Sequence, residues 1–442
     1  MLWWIYRLAG PLALGLAVPW LAFKGLANPL WRGVLAGRLA LGEGLLDRRA
    51  VERGGPFWLH AVSVGEVLAL RAVVERLQTA VPDLPLLVST STPTGNRLAL
   101  ETMPEGVRVR YFPLDTAGCV RRALARERPC AAAIMETEIW PAFFIACRRR
   151  GIPLAIINGR MSATSLGRYR KIRSLIGEVL GGVCCGCFQS QADLQRFVDL
   201  GLPPDRGSVP GNLKYDLENL QALTSGSAAG AGIAAAWRDQ GDGREARPLV
   251  VAGSTKPGEE QLVLDALAPL MHERPGLLLL LAPRHPERFD EVARLLENCG
   301  FPFSRRSAIG PGQPPPPGCR VLLLDSLGEL AGVYGQSTAA FVGGSLVAEG
   351  GHNILEPAYF GKPVIFGPHM DNFAEMAALF TRREAAFQLS SADQLAPVVR
   401  RLLDDPAAAD LAGRRARWIL EENQGAAAAI AAALLQLANS SG

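Results

Sequence analysis

A chain of 442 residues, 49% hydrophobic and 20% charged, is too long for one ordinary core and too apolar to be disordered, so two domains are expected. The net charge of +4 hides an asymmetry: residues 1–220 carry 27 basic against 18 acidic side chains, whereas the remainder carries 19 against 24. The basic half points to phospholipid headgroups or a phosphorylated substrate. Nucleic acid is the weakest of the anionic partners, and none is expected, because no binding module or aromatic-basic ladder is present.

The first element is a run of sixteen uncharged residues between Arg7 and Lys24, flanked by Trp3, Trp4, Tyr6 and Trp20. Its length is near the lower limit for a bilayer span, and aromatic residues favour the headgroup zone. Lys24, Arg32, Arg38, Arg48 and Arg49 follow it, so the positive-inside bias keeps the rest of the chain cytoplasmic. Pro11 and Pro19 leave an interfacial anchor open as the alternative. No plausible signal-peptide cleavage site is found.

Apolar runs then alternate with helical patterns. Strands are predicted at Phe57–Val62, Pro85–Ser89, Val107–Phe112, Ala131–Met135, Pro153–Ile157 and Val183–Gln189. Between them, helices are predicted over Glu66–Thr79, Asn96–Glu101, Ala117–Glu127, Trp140–Arg150, Leu166–Leu180 and Gln191–Gly201. This alternation implies parallel βαβ units. At the first strand-to-helix turn, Ser63-Val64-Gly65-Glu66 reads either as a capping box or as a carboxylate placed where α/β domains bind ligands. Glu136 and Glu138 fall two apart, on one face if the segment is extended. Arg160, Arg168, Arg170, Lys171 and Arg173 form a charge run that is a solvated helix face or a contact for bilayer phosphates. Cys184-x-x-Cys187 has no second ligand pair nearby, so no metal site is assigned, and the eight cysteines read as reduced thiols.

A low-complexity stretch, Leu223–Trp237, reads as a linker or loose helix, and a second alternating series follows it. Strands are predicted at Pro248–Gly253, Leu277–Ala282, Arg320–Leu324, Ala339–Val342 and Pro363–Phe366, with a helical tail from about Ala407. Ser254, Thr255 and Lys256 lie between a strand and a helix, as phosphate contacts or as an ordinary cap. Arg284 ends an apolar strand, where its fork suits a phosphate or a surface ion pair with Glu287. Gly343-Gly344-Ser345 and Gly350-Gly351-His352-Asn353 form the densest signal, and Gly344 and Ser345 join the candidate phosphate contacts. His352 and Glu356 are weighed as a metal pair but lack a third ligand. Dinucleotide and P-loop fingerprints are absent, as are the zincin and nucleophile-elbow motifs. The economical architecture is two doubly wound domains facing a central cleft.

The motifs HAVSVGE (60–66), METEIWP (135–141), NGRMS (158–162), GNLKYD (211–216), AGSTKPGEE, APRHPERF, DSLGEL (325–330) and GGSLVAEGGHNILEP occur in this order. Together they resemble the 3-deoxy-D-manno-octulosonic acid (Kdo) transferases of lipopolysaccharide assembly. The resemblance implies a GT-B glycosyltransferase, with 1–27 as membrane anchor and 28–222 as acceptor domain. It further implies 223–247 as linker, 248–406 as donor domain and 407–442 as helical tail. It also implies a CMP-Kdo donor, a lipid A precursor as acceptor, the cytoplasmic face of the inner membrane, and no cofactor or obligatory metal. The family's catalytic base falls on Glu66, and its CMP-binding positions on Pro283 and Arg284, on Leu327, Gly328 and Glu329, and on Asn353, Ile354, Leu355 and Glu356. Glu136, Glu138, Arg160, Arg168, Arg170 and Lys171 are then candidates for acceptor binding. This chain has Lys256 where the family usually has His, and Ala142 where it usually has Asn. Two rival readings are another GT-B enzyme using a UDP-sugar and a silent nucleotide-sugar-binding membrane protein. At this stage Glu66 is expected to stay ionised, because a helix N-terminus favours the carboxylate.

Overall fold

The structure is a computed structural model that describes residues 33–41, 55–216, 227–240, 246–310 and 312–439, with isolated positions before 33. The predicted anchor falls almost entirely outside the described residues. Among the described residues no helix is long and apolar enough to cross a membrane.

The chain divides into two compact units, Met1–Asn219 with Asn423–Gly442, and Leu220–Glu422. In the first, seven parallel strands are described: β1 (Phe57–His60), β2 (Leu86–Thr90), β3 (Arg108–Tyr111), β4 (Ala131–Met135), β5 (Leu154–Gly159), β6 (Cys185–Phe188) and β7 (Gly207–Ser208). They pair in the order β3-β2-β1-β4-β5-β6-β7. Both faces are covered, as a parallel sheet with helical crossovers requires. Trp58 and Ile134 point into one core, while Phe57, Leu59 and Met135 point into the other.

The second unit repeats the plan with β8 (Leu249–Thr255), β9 (Leu278–Pro283), β10 (Phe303–Arg305), β11 (Val321–Leu323), β12 (Ala339–Val342), β13 (Val364–Phe366) and β14 (Ala386–Gln388), ordered β10-β11-β9-β8-β12-β13-β14. In each unit the chain reverses its direction of sheet growth beside the first strand, between β1 and β4 and between β8 and β12. The carboxyl ends of those strands open the crevice where doubly wound sheets bind ligands.

The eleven predicted strands are present, but β7, β10 and β14 were not anticipated. Each is two or three residues long and sits at or beside a sheet edge, too short to carry a periodic signal. The helix expected over 166–180 is two helices, Ala163–Arg170 and Arg173–Leu180. The first buries no residue and the second buries Leu175, Ile176, Val179 and Leu180, so no single apolar face runs through both. The expected linker contains a helix, Ala228–Arg238, whose Ile233, Ala234 and Trp237 are buried in the second unit's core.

The helical tail divides as well. The helix Pro406–Glu422 belongs to the second unit, while Ala426–Asn439 packs Ile430 and Leu434 into the first unit's core with Val67 and Leu70. Asp216 anchors this return: its carboxylate accepts Gly425 N–H at 2.7 Å and Ala427 N–H at 2.8 Å. The negative charge also meets the positive end of the helix. Asp216→Ala removes the cap from Gly425 and strands the buried Ala427 N–H, so chemical denaturation should read a loss of about 1–2 kcal/mol, with protection from hydrogen exchange falling first in 426–439.

Candidate functional site

The first constellation forms where β1 and β4 end. The chain leaves β1 through Ala61 and Val62 into the N-cap Ser63, and the helix Val64–Ala80 follows. The Ser63 hydroxyl accepts Glu66 N–H at 3.4 Å and donates to Glu66 Oε1 at 3.0 Å, and Val62 N–H donates to Oε2 at 2.9 Å. A capping box is therefore built, and it fixes the carboxyl beside the mouth of the strand.

That carboxyl is 8% exposed. Its pKa is pushed up to about 7, first by burial and then by the charge of Glu136, with a further push from Glu138. The Val62 and Ser63 hydrogen bonds pull the other way and lose. The expected tendency to stay ionised is thereby weakened: desolvation and two acidic neighbours outweigh the hydrogen bonds at the helix N-terminus. A carboxyl balanced near neutrality has the proton affinity that a general base needs.

Glu136 and Glu138 do not lie on an extended segment. Glu136 opens a turn at φ +56, a left-handed backbone, directly after β4. Arg160 Nε donates to Glu136 Oε2 at 2.8 Å, and Glu138 is pushed up by burial and by Glu136. Arg160 thus joins the acidic cluster. Arg168, Arg170 and Lys171 are exposed on or just after the outer helix, and Arg170 pairs with Asp199 at 3.3 Å.

Lys214 is the residue that sequence reasoning missed. Its ammonium pKa is lowered by burial, and the charges of Glu136 and Glu66 oppose that shift, so it lies among the carboxylates. The signal was inside the GNLKYD motif. Asn158 Oδ1 accepts Leu213 N–H at 3.0 Å and Asn212 Oδ1 accepts Lys214 N–H at 3.0 Å, which sets the lysine's backbone. His60, from HAVSVGE, is buried, stacked on Phe112 and hydrogen-bonded to Ser89, and burial drives its pKa down to about 3. It is a neutral core residue.

The second constellation forms where β8, β9, β11 and β12 end. Between Gly253, opposite Ala282, and Thr255, opposite Pro283, Ser254 is an extra residue at φ +57. Such a bulge re-aims side chains next to functional sites. Three expected phosphate contacts are corrected here. The Thr255 hydroxyl is buried and donates to Glu260 Oε1 at 2.6 Å. The Gly344 and Ser345 N–H groups donate to the buried carboxylate of Glu259, at 2.5 and 2.9 Å. The Ser345 hydroxyl donates to Val342 O at 2.5 Å and accepts Gly367 N–H at 2.9 Å. These donors brace the loop and none is left over for a ligand. Gly343 serves close approach, since a Cβ there would meet Thr255 Cα at 2.6 Å.

Side chains supply the positive charge instead. Lys256 Nζ lies 3.0 Å from His285 Nε2 and 3.6 Å from Glu349 Oε2. His352 is driven down to about 4 by burial and by the charges of Arg284, Lys256 and His285. Glu356 is raised by burial, with Arg284 and Asn353 opposing. Lys256, Arg284, His285, His352 and Glu356 are therefore one electrostatic cluster. His352 precedes the helix Leu355–Tyr359, so the helical spacing behind the metal pairing does not apply. Asn353 Oδ1 accepts Leu355 N–H at 3.2 Å. After β11, Leu327 is 72% exposed and Gly328 has φ +83, while Glu329 is clamped by Arg306 at 2.7 and 2.9 Å.

Residues 36–217 match the family model for 3-deoxy-D-manno-octulosonic-acid transferase (kdotransferase). The chain is 37% identical over 374 residues to the 3-deoxy-D-manno-octulosonic acid transferase of Haemophilus influenzae, covering 84% of each. It is 34% identical over 413 residues to that of Bordetella pertussis, covering 89% of this chain and 92% of the relative. Among solved structures, Anabaena HepE in complex with UDP matches with a TM-score of 0.53 at 14% identity, over 87% of this chain and all of that one. That likeness speaks to the fold alone: two Rossmann-like units of the GT-B type.

The carboxyl of Glu66 should titrate in NMR with a midpoint near about 7. Glu136→Gln removes a like charge, so the midpoint should move down; an unmoved midpoint would separate the two groups.

Proposed function

Because the chain belongs to the 3-deoxy-D-manno-octulosonic acid (Kdo) transferase family, we propose that it transfers Kdo from CMP-Kdo to a lipid A precursor, with Glu66 as the general base. In one displacement the acceptor hydroxyl attacks the anomeric carbon of Kdo and the bond from that carbon to the phosphate oxygen breaks. CMP departs, the configuration inverts, and the hydroxyl proton passes to Glu66. The observation that carries this reading is the buried Glu66 carboxyl, held by Val62 and Ser63 at the mouth of β1 with its pKa near 7.

Transfer from an activated sugar also needs positive charge against the departing phosphate. Arg284, at the end of β9, supplies it, and Pro283, Leu327, Gly328 and the segment Asn353–Glu356 frame the cytidine. Side-chain cations meet the phosphate charge in this scheme, so no metal is required. On the acceptor side, Arg160 and the exposed Arg168, Arg170 and Lys171 engage lipid phosphates. The apolar N-terminal run holds the enzyme at the cytoplasmic face of the inner membrane, in lipopolysaccharide assembly.

Glu66→Gln should lower turnover on a tetra-acylated disaccharide acceptor by about a hundred- to ten-thousandfold. Its affinity for CMP-Kdo should stay within about twofold of wild type; retained turnover overturns the assignment. Since the base works ionised, wild-type kcat/KM should rise with pH through about 7. CMP should compete with the donor and UDP should not, and activity should survive dialysis against a chelator.

A further inference from the structure

Resting on the reading of CMP-Kdo as donor, we propose that Lys256 recognises the carboxylate of the transferred sugar while Arg284 is left to the phosphate, which makes Lys256 the residue that selects an acidic sugar.

The N–H groups of Lys256, Gly344, Ser345 and Leu346 all donate to Glu259, at 2.5 to 2.9 Å, so the glycine-rich turn has no backbone cradle for an anion. At that turn, anionic charge is left to side chains. Two basic side chains stand at the ends of adjacent strands, Lys256 after β8 and Arg284 after β9. A sugar phosphodiester brings one negative charge. The donor carries a second, because the anomeric carbon of this keto-acid sugar bears a carboxylate beside the phosphate ester oxygen.

The two cations differ in a way that sorts them. Arg284 is exposed and presents the planar fork that matches two phosphate oxygens. Lys256 is a point charge, its side chain 16% exposed and its Nζ held 3.0 Å from His285 Nε2. On the far side of the ring, His285 Nδ1 lies 3.8 Å from Glu287 Oε1. The acidic neighbour of Lys256 is Glu349, 3.6 Å away and half exposed, a partner that an incoming carboxylate can displace. The bulge at Ser254 directs this residue into the crevice.

The test compares CMP-Kdo with cytidine 5′-methylphosphate, which keeps the nucleoside and the phosphodiester but lacks the carboxylate, by calorimetry on the whole protein. Lys256→Met should weaken CMP-Kdo by about 10–100-fold and leave the methyl ester within about twofold. Lys256→His, set among Arg284, His285, Glu287, Glu349, His352 and Glu356, should restore CMP-Kdo binding in a pH-dependent way. Its affinity relative to wild type should rise as pH falls through the histidine range. Equal losses for both probes in Lys256→Met would make the lysine a phosphate contact and overturn the proposal, as would no loss for either. If wild type binds neither probe, the donor reading itself falls.

Discussion

A buried carboxylate must be given hydrogen-bond donors or shed its charge, and this protein uses both outcomes. Glu259 is fully buried and accepts four backbone N–H groups, which ties the turn after β8 to the turn after β12. Asp115 accepts Ala142 and Phe143 N–H at 3.0 and 2.9 Å, together with the Tyr6 hydroxyl, and so seats the helix Pro141–Arg149 behind Glu136 and Glu138. Asp193 accepts Met161 N–H at 2.8 Å and holds the loop that carries Arg160. In each unit, then, the walls of the crevice are set by buried carboxyl groups spent on backbone donors.

Glu66 differs in its company. Its two hydrogen bonds are of the kind that ordinarily keep a carboxylate ionised, yet burial and the nearby Glu136 and Glu138 decide the balance. Packing acids together is unfavourable, and Arg160 on Glu136 with Lys214 among the carboxylates offsets part of it.

The sequence displayed the framework well, because parallel strands buried on both faces are continuous apolar runs and their helices carry Ser or Thr caps. Ser63, Thr92, Thr116 and Ser190 each cap the helix that follows them. What stayed hidden was the destination of each polar group. Thr255 and Ser345 look like phosphate contacts in the sequence, and only the fold brings Glu260 to the first and Gly367 to the second. Lys214 is 78 residues from Glu136 along the chain, and nothing local announces that the two meet. Edge strands of two or three residues are recruited by the neighbouring ladder and have no pattern of their own.

A capping box need not exclude a base. The S-x-x-E spacing records only that Glu66 reaches back over the first turn. Whether such a group is a spectator depends on how much water reaches it and which charges face it, and both are set by β4 and its turn. Solvated, the carboxylate would complement the helix dipole and stay ionised. Buried beside Glu136, the identical hydrogen bonds hold the carboxyl in place while its proton affinity rises to the neutral range. One side chain can therefore start a helix and carry a raised proton affinity, because position is fixed by local bonds and basicity by distant charges and burial.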